Sequence, residues 1–293
     1  MAGQRGMREQ NVDLARLIVS CRDRHGIVAA LSTCLADAGA NIVGSDQYST
    51  DPEGGSFFLR MEFHLANLER ERAALETRLE AIAGELDLEW RLTPSSVRKR
   101  VAIFASKTDH CLLDLLWRWR RLELPMDVVC VVSNHPDLES EVRAFGVPYH
   151  HIPVTPETKA SAEQQQLGLL AGKVDLVVMA RYMQILTADF LERIGAPVVN
   201  IHHSFLPAFA GSKPYERAHD RGVKLIGATA HYATADLDEG PIIEQDVSRA
   251  SHRAGPEELE AIGRDVERTV LARAVRWHLD DRVFVDGRRT IVF

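Results

Sequence analysis

Three polar side chains stand where apolar runs give way to loops. The segment Val198-Val199-Asn200-Ile201-His202-His203-Ser204-Phe205-Leu206-Pro207 carries an amide and an imidazole two residues apart. Downstream, His231 precedes Asp236-Leu237-Asp238-Glu239-Gly240-Pro241, a run with three carboxylates. An amide N–H can donate to an oxyanion as charge develops on it, and an imidazole can share that charge or move a proton. A carboxylate can orient the imidazole or manage an incoming nucleophile. This is the equipment of acyl transfer. Side chains alternate along a strand, so Asn200 shares its face with His202 rather than with His203. Taken alone, a strand-end Asn is a turn former and a lone His a hydrogen-bonded structural residue. Their i, i+2 pairing inside an apolar run is what singles them out. Ser204 can hydrogen-bond the turn after His202, and Pro207 reads as structural. His202, His203 and His231 could be imagined around a metal, but no cysteine or zinc-type spacing accompanies them, so no metal is expected.

The elements that must hold these groups read as two domains. The first runs β-α-β-β-α-β, with strands over 14–20, 42–49, 56–65 and 88–92 and helices over 27–38 and 68–85. That order is the split unit of ferredoxin-like domains. Pro, Ser and charge in Thr93-Pro94-Ser95-Ser96-Val97-Arg98-Lys99-Arg100 mark a linker. The divisions expected are 12–94, 95–100 and 101–293. Beyond the linker, apolar strands over 101–105, 128–132, 174–179 and 198–201 alternate with helices near 111–121, 138–145, 160–171 and 188–194. Such alternation implies an α/β fold, a mostly parallel, doubly wound sheet of Rossmann type with its chemistry at the carboxyl ends of strands. Asn200 and His202 lie at one such end. A further strand over 242–247, a long helix over 256–279 and a terminal hairpin over 283–285 and 290–293 complete the chain.

Composition narrows the classes. With 293 residues, 45% hydrophobic and 26% charged, the chain has the make-up of a globular protein. A formal charge of -7 argues against a broad nucleic-acid surface. The basic run Trp117-Arg118-Trp119-Arg120-Arg121 fits one face of a helix. Four cysteines without a C-x-x-C pair fit reduced thiols in the cytoplasm. The first ten residues lack a signal peptide's apolar core, and no apolar run reaches membrane-spanning length.

The order Asn-x-His…Asp, with Ser-x-Leu-Pro after the His and Gly-Pro after the Asp, resembles the signature of the 10-formyltetrahydrofolate-using formyltransferases. Asp23-Arg24-His25-Gly26-Ile27-Val28, with Ala40-Asn41-Ile42 after the helix, resembles an ACT domain. Relatives that formylate glycinamide ribonucleotide carry a glycine-rich loop after the first catalytic strand, where backbone amides cradle phosphate. Here that strand ends Ala105-Ser106-Lys107-Thr108-Asp109-His110-Cys111, without glycine and with a negative charge. Relatives that formylate initiator tRNA carry their extra domain at the C-terminus. Water is the acceptor left, and from about Val12 onward the chain resembles the formyltetrahydrofolate deformylase family.

The resemblance implies hydrolysis of 10-formyltetrahydrofolate to formate and tetrahydrofolate, which balances one-carbon pools and supplies formate for purine biosynthesis. It assigns catalysis to Asn200, His202 and Asp238. It places Met183, Gln184, Ile185, Leu186 and Thr234 against the folate, with Ser204 in support. It implies no cofactor beyond the folate substrate, a homo-oligomer, and a small effector, glycine or methionine, near Asp23, Gly26, Ile27 and Asn41. A transferase acting on glycinamide ribonucleotide is the alternative enzyme, and a folate-binding ACT sensor the alternative of another class. The chain departs from the family at Ser251-His252-Arg253-Ala254, where an Asp is usual at 254 and Ala cannot cap the following helix.

Overall fold

The computed structural model describes residues 13–207 and 214–293. Val12 and the first ten residues, on which two of the expectations above fall, lie outside them. The chain forms two compact units. The first runs to Arg98 and takes in Asp281–Asp286 and Ile291–Phe293, and the second comprises Lys99–Asp280 and Gly287–Thr290.

In the first unit, β1 (Leu14–Arg22), α1 (Ile27–Asp37), β2 (Asn41–Ser49), β3 (Ser56–His64), α2 (Leu68–Leu86) and β4 (Glu89–Pro94) follow the β-α-β-β-α-β order read from the sequence. The sheet order is β2-β3-β1-β4, antiparallel throughout. Alternation on β1 turns Ala15, Leu17 and Val19 to one face. There they pack with Leu31 and Leu35 of α1 and with Leu75 and Leu79 of α2. The C-terminal segment belongs here for an electrostatic reason. Asp281, buried after the long helix, takes Arg91 at 2.6 Å and Arg16 at 3.4 Å. Three residues on, Phe284 sets its ring edge-on to Phe58, with centroids 5.5 Å apart.

The second unit is built from β5 (Lys99–Ala105), α3 (His110–Arg120), β6 (Met126–Ser133), α4 (Glu139–Ala144), β7 (Tyr149–His151), α5 (Lys159–Leu170), β8 (Leu176–Ala180), α6 (Ala188–Arg193) and β9 (Val198–His202). α7 (Pro214–Asp220), β10 (Leu225–Tyr232), β11 (Ile242–Arg249) and α8 (Pro256–Leu279) follow. The hairpin β12 (Val283–Asp286) and β13 (Arg289–Val292) ends the chain. The seven-stranded sheet has the order β11-β10-β9-β8-β5-β6-β7. Strands β7, β6, β5, β8 and β9 are parallel, and β10 and β11 each run antiparallel to the neighbour before them. Apolar residues of α5 and α6, Leu167 and Phe190 among them, pack on Phe104, Val132 and Val177. Helices α3 and α8 pack against each other, and α8 also meets β9 and β10. Chain order reverses between β5 and β8, and a crevice opens beyond the carboxyl ends of strands at such a point.

Three elements were not read from the sequence: β7, α7 and β10. β10 is buried almost end to end, yet its sequence, LIGATAHY, is rich in small and polar residues and shows no apolar run. The basic run after Leu116 is helical to Arg120, and Trp117 stands edge-on to Phe145 at 5.4 Å. The cysteines are free, three of them buried. Among the described residues no helix is long and apolar enough to cross a membrane.

Candidate active site

β9 delivers Asn200 and His202 to the carboxyl end of the sheet, and β10 completes the cluster. In the antiparallel pairing His231 lies directly opposite Asn200, so the two side chains share a face. Asn200 Nδ2 is 3.2 Å from His231 Nε2, and His231 Nδ1 is 3.0 Å from the Tyr232 carbonyl. Burial lowers the pKa of His231, which favours the neutral ring. A neutral ring that donates from Nδ1 accepts at Nε2, so one Asn200 N–H is committed to His231. The other N–H remains available to a ligand.

Asp238 comes from the loop between β10 and β11, and its neighbours explain the Gly-Pro that follows. Gly240 lies so close to Tyr232 that a Cβ would overlap the Tyr232 carbonyl oxygen, and Tyr232 N–H donates to the Pro241 carbonyl at 3.0 Å. The loop is thereby pinned to the strand end. Asp238 itself takes a left-handed backbone, φ 59°, a conformation Asp tolerates better than most residues. Its Oδ1 is 3.2 Å from His202 Nδ1 and 3.7 Å from His231 Nε2. The hydrogen bond from His202 outweighs burial and holds the Asp238 carboxyl below its usual range. His202 Nε2 is buried without a protein hydrogen bond. It is the ring nitrogen left to face a reacting group.

These residues line a cavity of about 1170 Å3. One wall is the segment after β8, held by Ser106, whose Oγ accepts from Met183 N–H at 2.9 Å. Met183, Gln184, Ile185 and Leu186 all line the cavity, as does Thr234 from the facing loop. Met183 and Ile185 are more than half exposed, an apolar surface suited to a flat hydrophobic ligand. Ser204 is placed otherwise. It is buried and absent from the cavity wall, and its Oγ makes no hydrogen bond among the described residues, so the expected side-chain bond to the turn is not formed. Its backbone carbonyl accepts from Thr229 Oγ1 at 2.9 Å.

His203 also departs from the sequence reading. β9 ends at His202, alternation ends with it, and the two imidazoles stack at 5.1 Å with both lining the cavity. Burial first, then the charges of Arg181 and His202, push the His203 pKa down to about 4. His231 and His203 were singled out only as imagined metal ligands. The pairing of His231 with Asn200 was hidden because β10 was not read.

Behind His203 lies a buried network that the sequence did not announce. Glu267 of α8 accepts from His110 Nε2 at 2.8 Å and from Tyr215 Oη at 2.8 Å, and Arg181 Nε stands 3.4 Å away. Burial alone would raise the Glu267 pKa, but the His110 hydrogen bond and the Arg181 charge bring it below normal. His110, Cys111 and Glu267 place one ligand atom each within 4.8 Å of one another. Burial and the Glu267 charge raise the Cys111 thiol well above its usual value, and Arg181 already neutralises the carboxylate. The cluster fits an ion-pair network better than a cation site.

In the first unit, Asp23, Gly26 and Ile27 line a cavity of about 440 Å3, where Asp23 accepts from Ser49 Oγ. Asn41 begins β2 and is not on that wall. Helix α8 starts at Pro256 with Gly255 as its N-cap residue. The unusual Ala254 is buried with Ala218, Ile226 and Leu259, so packing holds the loop where a cap is missing.

A formyl transferase family model matches residues 99–275, and an ACT domain model matches residues 15–82. The formyltetrahydrofolate deformylase of Mycobacterium tuberculosis is 58% identical over 282 residues, covering 96% of this chain and 91% of that one. The solved formyltetrahydrofolate deformylase from Burkholderia mallei superposes with a TM-score of 0.90 at 45% identity, covering 96% of this chain and 99% of that one. Glycinamide ribonucleotide transformylase 1 from Symbiobacterium toebii gives a TM-score of 0.63 at 28% identity over 67% of this chain and 94% of that one. The deformylase matches span nearly the whole chain, whereas the transformylase matches only two thirds of it, and the chain belongs to the formyltetrahydrofolate deformylase family.

Proposed function

We propose that this protein hydrolyses 10-formyltetrahydrofolate to formate and tetrahydrofolate. The observation that carries the reading is the convergence of Asn200, His202 and Asp238 on one cavity with an apolar wall. The pterin lies between 183–186 and the loop carrying Thr234. Water oxygen attacks the formyl carbon, and the developing oxyanion takes the free Asn200 N–H and the His202 imidazole. Donors placed in this way are worth about 10²–10³ in rate each. The C–N10 bond then breaks, N10 takes the proton handed on by His202 and Asp238, and formate departs with its acid proton lost to solvent. The proposed steps draw on no cofactor, and turnover that survives dialysis against a chelator is the expected outcome. The test is formate release with and without glycinamide ribonucleotide. Formate at the same rate in both supports hydrolysis. Formyl transfer that requires the ribonucleotide supports the transferase, and folate binding without turnover supports the sensor.

The first unit is read as the regulatory one. The cavity beside Gly26, at the start of α1, suits a small amino acid, and glycine and methionine are the effectors to try. A homo-oligomer assembled through this unit accompanies that reading. Calorimetry with each amino acid and sedimentation of the intact chain test the two parts. Neither amino acid binding would leave the unit a role in assembly alone.

A further inference from the structure

The formyl transferase fold also serves proteins whose name states transfer to an amine, and the structure offers a reason why this chain would use water. Beside His203 the cavity wall includes Arg181 and Tyr215, the Tyr215 ring 6.5 Å from the His203 ring. Both are tied to Glu267, whose side chain is 1% exposed. Tyr215 reaches it through a slot on α8. Gly263 lies one turn before Glu267, and a Cβ there would overlap the Tyr215 ring and hydroxyl. His110 braces the same carboxylate at 2.8 Å.

Arg181 follows the last residue of β8, the strand hydrogen-bonded to the one that carries Asn200. It holds a left-handed backbone, φ 63°. Its side chain is 15% exposed and ion-pairs with Glu267 through Nε at 3.4 Å, while Nε and Nη1 are buried without a hydrogen bond among the described residues.

These choices cost stability. A left-handed conformation costs a non-glycine residue about 1–2 kcal/mol, and glycine inside a helix about 1 kcal/mol. A buried ion pair contributes little over apolar residues of the same volume. All three costs fall on the single wall beside His203, so its composition answers to something other than stability.

We propose that Arg181, anchored by Glu267, is the acceptor-specificity residue: it occupies the space beside His203 that an amine acceptor would need and leaves room for water. The proposal rests on the hydrolase reading. In hydrolysis the water oxygen bonds to the formyl carbon, the C–N10 bond breaks and N10 gains a proton. In transfer an amine nitrogen takes the place of that oxygen, an N-formyl amide forms, and the amine gives up the proton that N10 gains.

The test offers glycinamide, a compact primary amine, to the full-length protein during turnover of 10-formyltetrahydrofolate, and mass spectrometry reads the ratio of N-formylglycinamide to formate. Arg181→Gly suits the left-handed backbone and removes the plug, and Glu267→Gln releases its anchor while keeping its shape. Wild type gives formate essentially alone. The ratio rises at least tenfold in Arg181→Gly and in the same direction in Glu267→Gln. Three results would overturn the proposal: a ratio within twofold of wild type in both, folded variants that bind folate and perform neither reaction, or failure of both to fold. A wild-type protein that releases no formate would instead remove the hydrolase reading beneath it.

Discussion

Replacing Asp238 by Asn removes one charge and almost nothing else. The carboxylate oxygen stands 3.2 Å from His202 Nδ1. At an effective dielectric of about 20, opposite unit charges at that distance attract by about 5 kcal/mol. In the transition state His202 carries only part of a positive charge. Taking about half of one leaves about 2–3 kcal/mol, or roughly a hundredfold in kcat. The amide oxygen of Asn can still accept from Nδ1–H, so the ring keeps its orientation and KM stays within about twofold, because the apolar walls that hold the folate are untouched. Asp238→Ala loses orientation as well as charge and falls by roughly a further tenfold, in the range expected for lost general acid–base assistance. Continuous assay of tetrahydrofolate formation, with folate binding measured separately, reads both parameters. A kcat for the Asn variant within about threefold of wild type would refute the reasoning, because Asp238 would then not stabilise charge on His202.

Three further outcomes follow from groups near the site and from the first unit. His203 is pushed from 6.5 to about 4, chiefly by burial. The unfolded chain therefore binds more protons between those pH values, and stability, full above about 6.5, is lost as pH falls through the window, by on the order of 3 kcal/mol. Urea midpoints for His203→Phe should vary less over that range, and an equal slope would contradict the burial argument. Gly263→Ala gains about 1 kcal/mol of helix propensity but drives a Cβ into Tyr215, at about 1–3 kcal/mol plus the loss of the bond to Glu267. The Tm should fall by several degrees, and a rise would show that Tyr215 moves aside freely. Asp281→Ala leaves Arg16 buried without the carboxylate it faces at 3.4 Å. Denaturant unfolding should show a loss of about 3–5 kcal/mol, and a loss under 1 kcal/mol would contradict the clamp.

The fold was legible wherever burial produces a run or a period. Four of the five parallel strands, β5, β6, β8 and β9, carry apolar runs, and the long helix begins at Pro256 and ends at Leu279 where expected. β10 was not legible because it is buried through close packing of Gly, Ala and Thr, which leaves no apolar signature. With β10 unread, the neighbour of Asn200 was unread too, and His231 stood in the sequence as an isolated His. Asp238 was found through its Gly-Pro neighbours. The structure supplies the reason for that motif, since only a residue without a side chain fits under the Tyr232 carbonyl. The Glu267 network was invisible for a different cause. Its members, at 110, 181, 215 and 267, come from four separate segments, and no spacing rule joins them. His203 was assigned to the opposite face by an alternation rule that stops applying one residue after the strand ends.

The proposed function depends on attack of water at the formyl carbon between Asn200 and His202. A single turnover of 10-formyltetrahydrofolate in ¹⁸O-labelled water tests it most directly, with the wild type beside His202→Asn. Formate carrying one labelled oxygen, in an amount equal to the substrate supplied under excess enzyme, is expected from wild type. A rate slower by at least about a hundredfold is expected in the variant. Unlabelled formate, or an unchanged single-turnover rate in His202→Asn, would overturn that step.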